Sequence, residues 1–476
     1  MKRLFTLFIL CLFTFSGMAQ LASKETHEKT AAILLKEYNA QNYKGIYKLL
    51  DADFKKQISE KELGDFFKLN IYDLYGAMLS IQHSDYKGSA HLFVAEFKNG
   101  KMDLQLSCNA EEQITGMGWT VHEEKLPKVP VLNNGELRSD NPLANQLELQ
   151  IDSIVKKYHE NNSVCGLSIA VYNGETTKFY NYGEVARGKN ELPSSKTIYE
   201  IGSVSKVFTG ILLAQAITEK KVSANDPLKK YLGESYKNLA YKGKQVELVH
   251  LSNHTSCIQR IPSDLTTQKG YDASNPYKHY TKEMLLNYIS TISIDTFPGL
   301  KNEYSNLGAA LLGVTLEKVY NKNYEDLVKE KITTPLKMHD TKIILNSEDE
   351  KRFAEGHNSY GQTTDKWDLG AFSGAGGLRS TSEDMIQFVK ANLADSIPAF
   401  KLSHYSTFNN GRDHVAMAWQ LVNTKKGNEL IWHNGMTQGF SSFCGLIKSK
   451  NVGVVVLNNT GLSVDQIAIG ILKMLQ

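Results

Sequence analysis

Cysteine is scarce in this chain. Five occur in 476 residues, at positions 11, 108, 165, 257 and 444. None are spaced as a CxxC pair or a zinc-ligand set, so the cysteines carry no zinc module. So few in so long a chain also exclude a disulfide scaffold. Cys165 and Cys444 lie in apolar, strand-like runs, which predicts small buried side chains rather than reactive thiols. An excess of one charge is lacking too. Basic residues number 54 and acidic residues 51, a formal net charge of +3. That gives no electrostatic basis for binding nucleic acid or an anionic membrane surface. Beyond the N-terminus no apolar run approaches the ~18 residues of a spanning helix. The HExxH and G-x-S-x-G patterns are both absent, as are internal repeats and low-complexity tracts.

What is present begins with a leader. The chain opens MKRLFTLFILCLFTFSGMAQ, with Lys2 and Arg3 ahead of an apolar run over residues 4–15 and small Gly17 and Ala19 before Gln20. This predicts a secretory signal peptide over residues 1–19, cleaved after Ala19. The protein is then secreted or periplasmic, with no stable membrane insertion and a mature net charge of +1.

Hydrophobic residues make up 41% of the chain, enough for a large core and more than one domain. Residues 20–122 read as helices followed by strands. Helical periodicity runs over 26–39, 43–54 and 60–67, and strand-like runs over 75–83, 89–97 and 101–109, with Asn99-Gly100 as a hairpin turn. This predicts a small α+β domain. Pro127, Pro130 and Pro142, with Asn133-Asn134-Gly135 between them, mark 123–142 as a linker. Residues 143–476 form the second domain. It opens with an amphipathic helix over 143–158 and strands over 164–173 and 177–183, joined at Asn173-Gly174. A helical middle follows, then strands over 429–433, 439–447 and 452–458, and a last helix over 463–475. Strands at both ends of a helical centre predict an antiparallel sheet closed by the terminal strands, with helices on its faces.

Three polar motifs stand in that domain. Ser-x-x-Lys occurs at Ser84–Lys87, Ser153–Lys156 and Ser203–Lys206. Only Ser203 follows an extended run and the turn-permitting Gly202, and opens an apolar helix holding Val207, Phe208, Ile211 and Leu212. Lys206 then shares the face of Ser203 one turn on. A desolvated lysine loses pKa and can take a serine proton. Tyr-x-Asn occurs at Tyr236–Asn238, in a polar loop, and at Tyr304–Asn306, between the Pro298-Gly299 turn and a buried small-residue helix. Tyr304 there can relay a proton, and Asn306 can hydrogen-bond Lys206 and a substrate amide. His433-Asn434-Gly435 ends a strand. Gly435 permits close approach of a substrate backbone. The N–H of Met436, with that of Ser203, can form an oxyanion hole. His250 and His254, four residues apart, are a rival zinc pair on a helix, although packing is the better reading.

Residues 143–476 resemble the serine β-lactamase / D,D-peptidase superfamily, near class C β-lactamases and secreted D,D-carboxypeptidases. The resemblance rests on the three motifs in order and on further segments. These are His250-Leu251-Ser252-Asn253-His254-Thr255-Ser256, Phe297-Pro298-Gly299, Ala375-Gly376-Gly377-Leu378-Arg379-Ser380-Thr381, and the closing strands from Gly439 and Asn451. It implies an α+β fold, an antiparallel sheet flanked by helices with a helical subdomain. Residues 20–122 resemble the cone-like domains of the nuclear-transport-factor-2-like superfamily.

By this resemblance Ser203 is the nucleophile, Lys206 and Tyr304 the acid/base pair, and Asn306, His433, Gly435 and Met436 the substrate-binding residues. It implies an exported serine hydrolase that forms an acyl-enzyme on amide, lactam or ester carbonyls of a small molecule or peptidoglycan peptide, with no metal or cofactor. Two departures stand out. The third motif reads HNG where class C lactamases have KTG, which moves the expectation from antibiotic hydrolysis toward D,D-carboxypeptidases, D-amino-acid amidases and esterases. Cys257 replaces the glycine that usually follows HTS. The alternatives are an esterase or D-aminopeptidase of the same fold, or a protein that binds penicillins or cell-wall fragments without turnover.

Overall fold

The computed structural model describes residues 23–87, 90–122 and 137–476. The expected signal peptide lies outside the described residues, as does most of the expected linker. The described chain folds as two compact units, residues 23–122 and 137–476.

In the first unit α1 (Lys24–Asn39) starts where the Ser23 side chain accepts the Thr26 N–H, and it buries Ala31, Leu34 and Tyr38. The helix expected over 43–54 is broken in two. Asp51 caps the second piece by accepting the Phe54 N–H. The strands are β1 (Met78–Lys87), β2 (Ala90–Phe97), β3 (Gly100–Cys108) and β4 (Ile114–Val121), an antiparallel sheet in that order. The β2–β3 hairpin closes at Phe97 opposite Gly100. Periodicity misses β4 because its sequence, ITGMGWTV, carries two glycines that dilute a strand signal. Met102, Leu104, Leu106 and Cys108 alternate inward along β3 and pack with Trp119. His27 and His91 stack with ring centroids 3.8 Å apart. His27 Nε2 accepts the Cys108 N–H at 3.0 Å, so its Nδ1 carries the proton and donates to Ser23 O at 2.9 Å.

The second unit opens with α2 (Gln146–His159), capped by Asn145. β5 (Gly166–Tyr172) and β6 (Thr177–Gly183) form the expected hairpin. β7 (Tyr199–Glu200) leads to α3 (Ser205–Thr218), and α4 (Leu248–Ser252) and α5 (Asn306–Tyr320) follow. β8 (Arg379–Ser380) pairs with β7 and precedes α6 (Ser382–Leu393). The chain closes with β9 (Phe408–Asn409), β10 (His414–Val415), β11 (Gln420–Asn423), β12 (Glu429–Met436), β13 (Ser441–Ile447), β14 (Val452–Asn458) and α7 (Asp465–Met474). The main sheet is antiparallel in the order β9-β10-β11-β12-β13-β14-β5-β6. β14 pairs with β5 on one side and β13 on the other, so the two ends of the domain close on each other as expected.

Ile151 and Val155 of α2 and Ile467 and Ile471 of α7 cover one face of the sheet. α6 packs on β14 from the other face. α3 is buried without a break from Ser205 to Ala214, with Phe208 stacked on Phe388 at 4.3 Å. A helix apolar all round belongs at the centre of a domain. Whatever polar group it carries is cut off from water.

Candidate active site

The strand β12 runs three residues further than the periodicity predicts, through Asn434 and Gly435 to Met436. That extension carries it past the start of the helix that follows Ser203. Gly202 has φ +47°, and a Cβ there would stand 2.7 Å from the Met436 nitrogen. A Cβ on Gly435 would stand 2.9 Å from the Ser203 nitrogen and 2.0 Å from Ile201 O. Glycine at both positions is what lets the strand and the Ser203 turn touch. Ser442 Oγ donates to Ile201 O at 2.8 Å and fixes the turn from β13. Ser203 sits in a 3-10 turn, Gly202–Val204, and α3 begins two residues later.

Lys206 is 1% exposed. Its Nζ donates to Ser203 Oγ at 3.0 Å and to Ala375 O at 2.6 Å. Burial pushes its pKa well below the usual lysine range, and the Arg260 charge adds to the shift. The second hydrogen bond thus goes to the small-residue stretch, not to Asn306 as the sequence suggests. Among the described residues no hydrogen bond joins Lys206 to Asn306. Tyr304 is half-buried, between Lys206 and Arg260. Lys206 Nζ is 4.9 Å and Arg260 Cζ 5.0 Å from its ring centroid. Burial raises its pKa to about 12, against hydrogen bonding to Ser203 and the Arg260 charge, which both lower it. The two groups nearest Ser203 Oγ are therefore pushed in opposite senses, lysine toward the free amine and tyrosine toward the protonated phenol. Divergent pKa values in adjacent groups are what a base beside an acid requires.

His433 is buried, with its Nδ1 2.5 Å from Asn434 O and its Nε2 unpartnered. Burial and the Lys206 charge lower its pKa to about 4, so it is neutral. Asn434 points the other way, donating to Asp465 at 2.8 Å. Asn306 is the first residue of α5. It lines the cleft with Ser203, Tyr277, Trp367, Leu369, Phe372 and Met436, and its Oδ1 is buried without a partner. Its amide bonds the Tyr277 hydroxyl.

All seven residues predicted from the sequence thus meet around Ser203. The decoys do not. Ser84 lies in β1, Ser153 in α2, and Asn238 is spent on the carbonyls of Ile289 and Ile292. The rival zinc pair is dismantled. α4 ends at Ser252, and His254 has φ +62°, so the two histidines do not share a helix face. His250 faces Glu247, while His254 lies against Tyr304 with ring centroids 4.4 Å apart. Among the described residues no group of His, Cys, Asp or Glu is arranged to hold a metal.

Sequence reasoning misses the aromatic wall of Tyr277, Trp367 and Phe372, and it misses Arg260. Isolated residues in irregular loops carry no periodic signal. The wall is held by a buried carboxylate. Glu200, three residues before Ser203, accepts the Trp367 N–H at 2.6 Å.

A family model described as Beta-lactamase matches residues 151–470. The chain belongs to the beta-lactamase family. A second model, described as a protein of unknown function (DUF3887), matches residues 31–117. Relatives include the D-alanyl-D-alanine-carboxypeptidase/endopeptidase AmpH of Escherichia coli K12, 28% identical over 64% of this chain and 83% of that one. A beta-lactamase of Yersinia enterocolitica is 26% identical over 66% of this chain and 87% of its own. Among solved structures, a class C beta-lactamase superposes with a TM-score of 0.61 at 22% identity, over 70% of this chain and 97% of that chain. The beta-lactamase/D-alanine carboxypeptidase of Pseudomonas syringae gives 0.60 at 22%, over 69% and 99%. These likenesses show the fold. With the family they make this beta-lactamase-family protein a serine hydrolase.

Proposed function

We propose that this member of the family is an exported hydrolase that works through an acyl-enzyme at Ser203, closer in substrate to the D,D-carboxypeptidases than to the antibiotic-destroying lactamases. The observation that carries it is the pairing of a desolvated Lys206 at 3.0 Å from Ser203 Oγ with a phenolic Tyr304 on the same oxygen. Ser203 Oγ attacks the carbonyl carbon and its proton passes to the free amine of Lys206. The oxyanion is held by the N–H groups of Ser203 and Met436. Tyr304 donates a proton to the leaving nitrogen or oxygen and recovers one through Lys206. Water then attacks the ester, and the proton path runs in reverse to free Ser203. Asn306 Oδ1 accepts an N–H of the substrate. The histidine of the third motif, where class C lactamases have lysine, supports peptide and ester substrates over lactams. Export follows from the leader sequence.

Incubation with benzylpenicillin and intact-mass measurement tests the covalent step. A mass increase of one penicilloyl group in the wild type and none in Ser203→Ala is expected. An adduct that persists in Ser203→Ala, or no adduct together with no ester turnover, sinks the reading. A panel of a chromogenic cephalosporin, a D-Ala-D-Ala peptide and an aryl ester then ranks the substrates, with the peptide and ester ahead.

A further inference from the structure

Arg260 lies on the loop that follows α4 and is exposed. Its place is nonetheless fixed. Its carbonyl accepts the Leu307 N–H at 3.0 Å, and the neighbouring Gln259 carbonyl accepts Ser305 Oγ at 2.8 Å. The backbone of Gln259 and Arg260 is thereby clamped to the segment that carries Tyr304 and Asn306. The guanidinium carbon stands 5.0 Å from the Tyr304 ring centroid, a cation–π distance. Among the described residues no carboxylate pairs with it. Glu303, the acid nearest the motif in sequence, is taken by Lys301 at 2.5 Å. The titratable groups that act on Lys206, His254 and Tyr304 are Arg260, His433, Tyr277 and one another, with no carboxylate among them. Lys206 and His433 are buried and held toward their neutral forms, so neither supplies a charge that a ligand can reach. Arg260 is the accessible permanent cation of the site.

We propose that Arg260 is a specificity-determining residue that binds a carboxylate of the substrate beside the scissile carbonyl, on the Tyr304 and Asn306 side of the cleft. A guanidinium fork fits a carboxylate in two parallel hydrogen bonds. Held over the Tyr304 ring, the fork is already partly desolvated and ordered, which lowers the entropic cost of the contact. The chemistry required of the substrate is a carboxylate, either on the acyl group or on the leaving group. This assignment rests on the acyl-enzyme reading above.

Three matched aryl esters test it: the phenyl ester of N-acetyl-D-alanine, which is neutral; the phenyl ester of N-succinyl-D-alanine, anionic on the acyl side; and the 3-carboxyphenyl ester of N-acetyl-D-alanine, anionic on the leaving side. The wild type should prefer one anionic ester over the neutral one by about 10-fold or more in kcat/KM, and which one tells the side. Arg260→Gln should erase that preference, chiefly through KM, and Arg260→Glu should invert it. Loss of all three substrates in equal measure, with a shifted pH profile, would overturn the proposal and make Arg260 an electrostatic support for Lys206. An unchanged preference would overturn it as well. If no ester is turned over, the acyl-enzyme reading fails by itself. Binding of N-succinyl-D-alanine, an acyl-side acid, and of 3-hydroxybenzoate, a leaving-side acid, to Ser203→Ala by calorimetry still reads Arg260, since the Arg260→Gln change must weaken at least one of the two about 10-fold.

Discussion

Gly435 and Ser203 touch through their backbones: a methyl group on Gly435 would stand 2.9 Å from the Ser203 nitrogen. The contact joins the third motif to the first and sets the distance between the two N–H groups assigned to the oxyanion. Gly435→Ala should lower kcat by about 100-fold, the scale of losing one oxyanion donor. The protein should stay folded by circular dichroism, since β12 remains paired with β13. Retained kcat would mean that the strand can shift without cost.

Lys206 is expected to trade stability for activity. Its folded pKa is depressed below that of the unfolded chain, near 10.4. Between the two values the unfolded state binds more protons, so this group's contribution to stability rises with pH and is complete only above about 10.4. Lys206→Met should abolish turnover and raise the urea midpoint at pH 7. The gap between variant and wild type should narrow at pH 9. Equal midpoints at both values would remove the case for a buried, neutral lysine.

Tyr304→Phe keeps the ring between Lys206 and Arg260 and deletes only the hydroxyl. A fall in kcat of about 100- to 10,000-fold is expected from the loss of general acid–base help. The variant should still form a penicilloyl adduct, more slowly, because Ser203 and Lys206 remain.

Cys257 occupies φ +60°, where a side chain is strained. The usual glycine of this element fits that conformation at no steric cost. Cys257→Gly should therefore stabilise the protein by about 1 kcal/mol, seen as a higher denaturant midpoint. The thiol is half-buried and its pKa is raised to about 11, chiefly by burial, so its removal should leave thiol-independent turnover intact. A destabilised Cys257→Gly protein would show that the thiol's packing outweighs the backbone strain.

The stacked His27 and His91 predict acid sensitivity in the first unit. Burial, first, and the neighbouring His27 and His83 charges lower the His91 pKa to about 4. Its stabilising effect is complete above the unfolded value near 6.5 and is lost as pH falls toward 4. Hydrogen-exchange protection of β2 amides, corrected for the intrinsic rate, should fall between pH 6.5 and 4 ahead of that of β14. His91→Gln should flatten that response.

Much of the fold was legible in the chain. The β5–β6 hairpin, the closing strands and the capped helices follow from period and turn chemistry, which act within a few residues. β4 escaped because its glycines break the pattern. The single helix over 43–54 escaped because a capping aspartate overrides apolar spacing. The three motifs were legible as a set, yet two of them have decoys that differ only in context.

Local chemistry in the sequence determined which side chains are available: a serine one helical turn from a lysine on an apolar helix, a tyrosine before a small-residue helix, and a glycine at a strand end. Tertiary structure alone decided their states and partners. It put Lys206 against Ala375 rather than Asn306, took His254 off the helix, brought Tyr277 and Trp367 to the cleft, and set Arg260 over Tyr304. The reason is that pKa and pairing depend on burial and on neighbours distant in sequence, and a pattern of nearby residues contains neither.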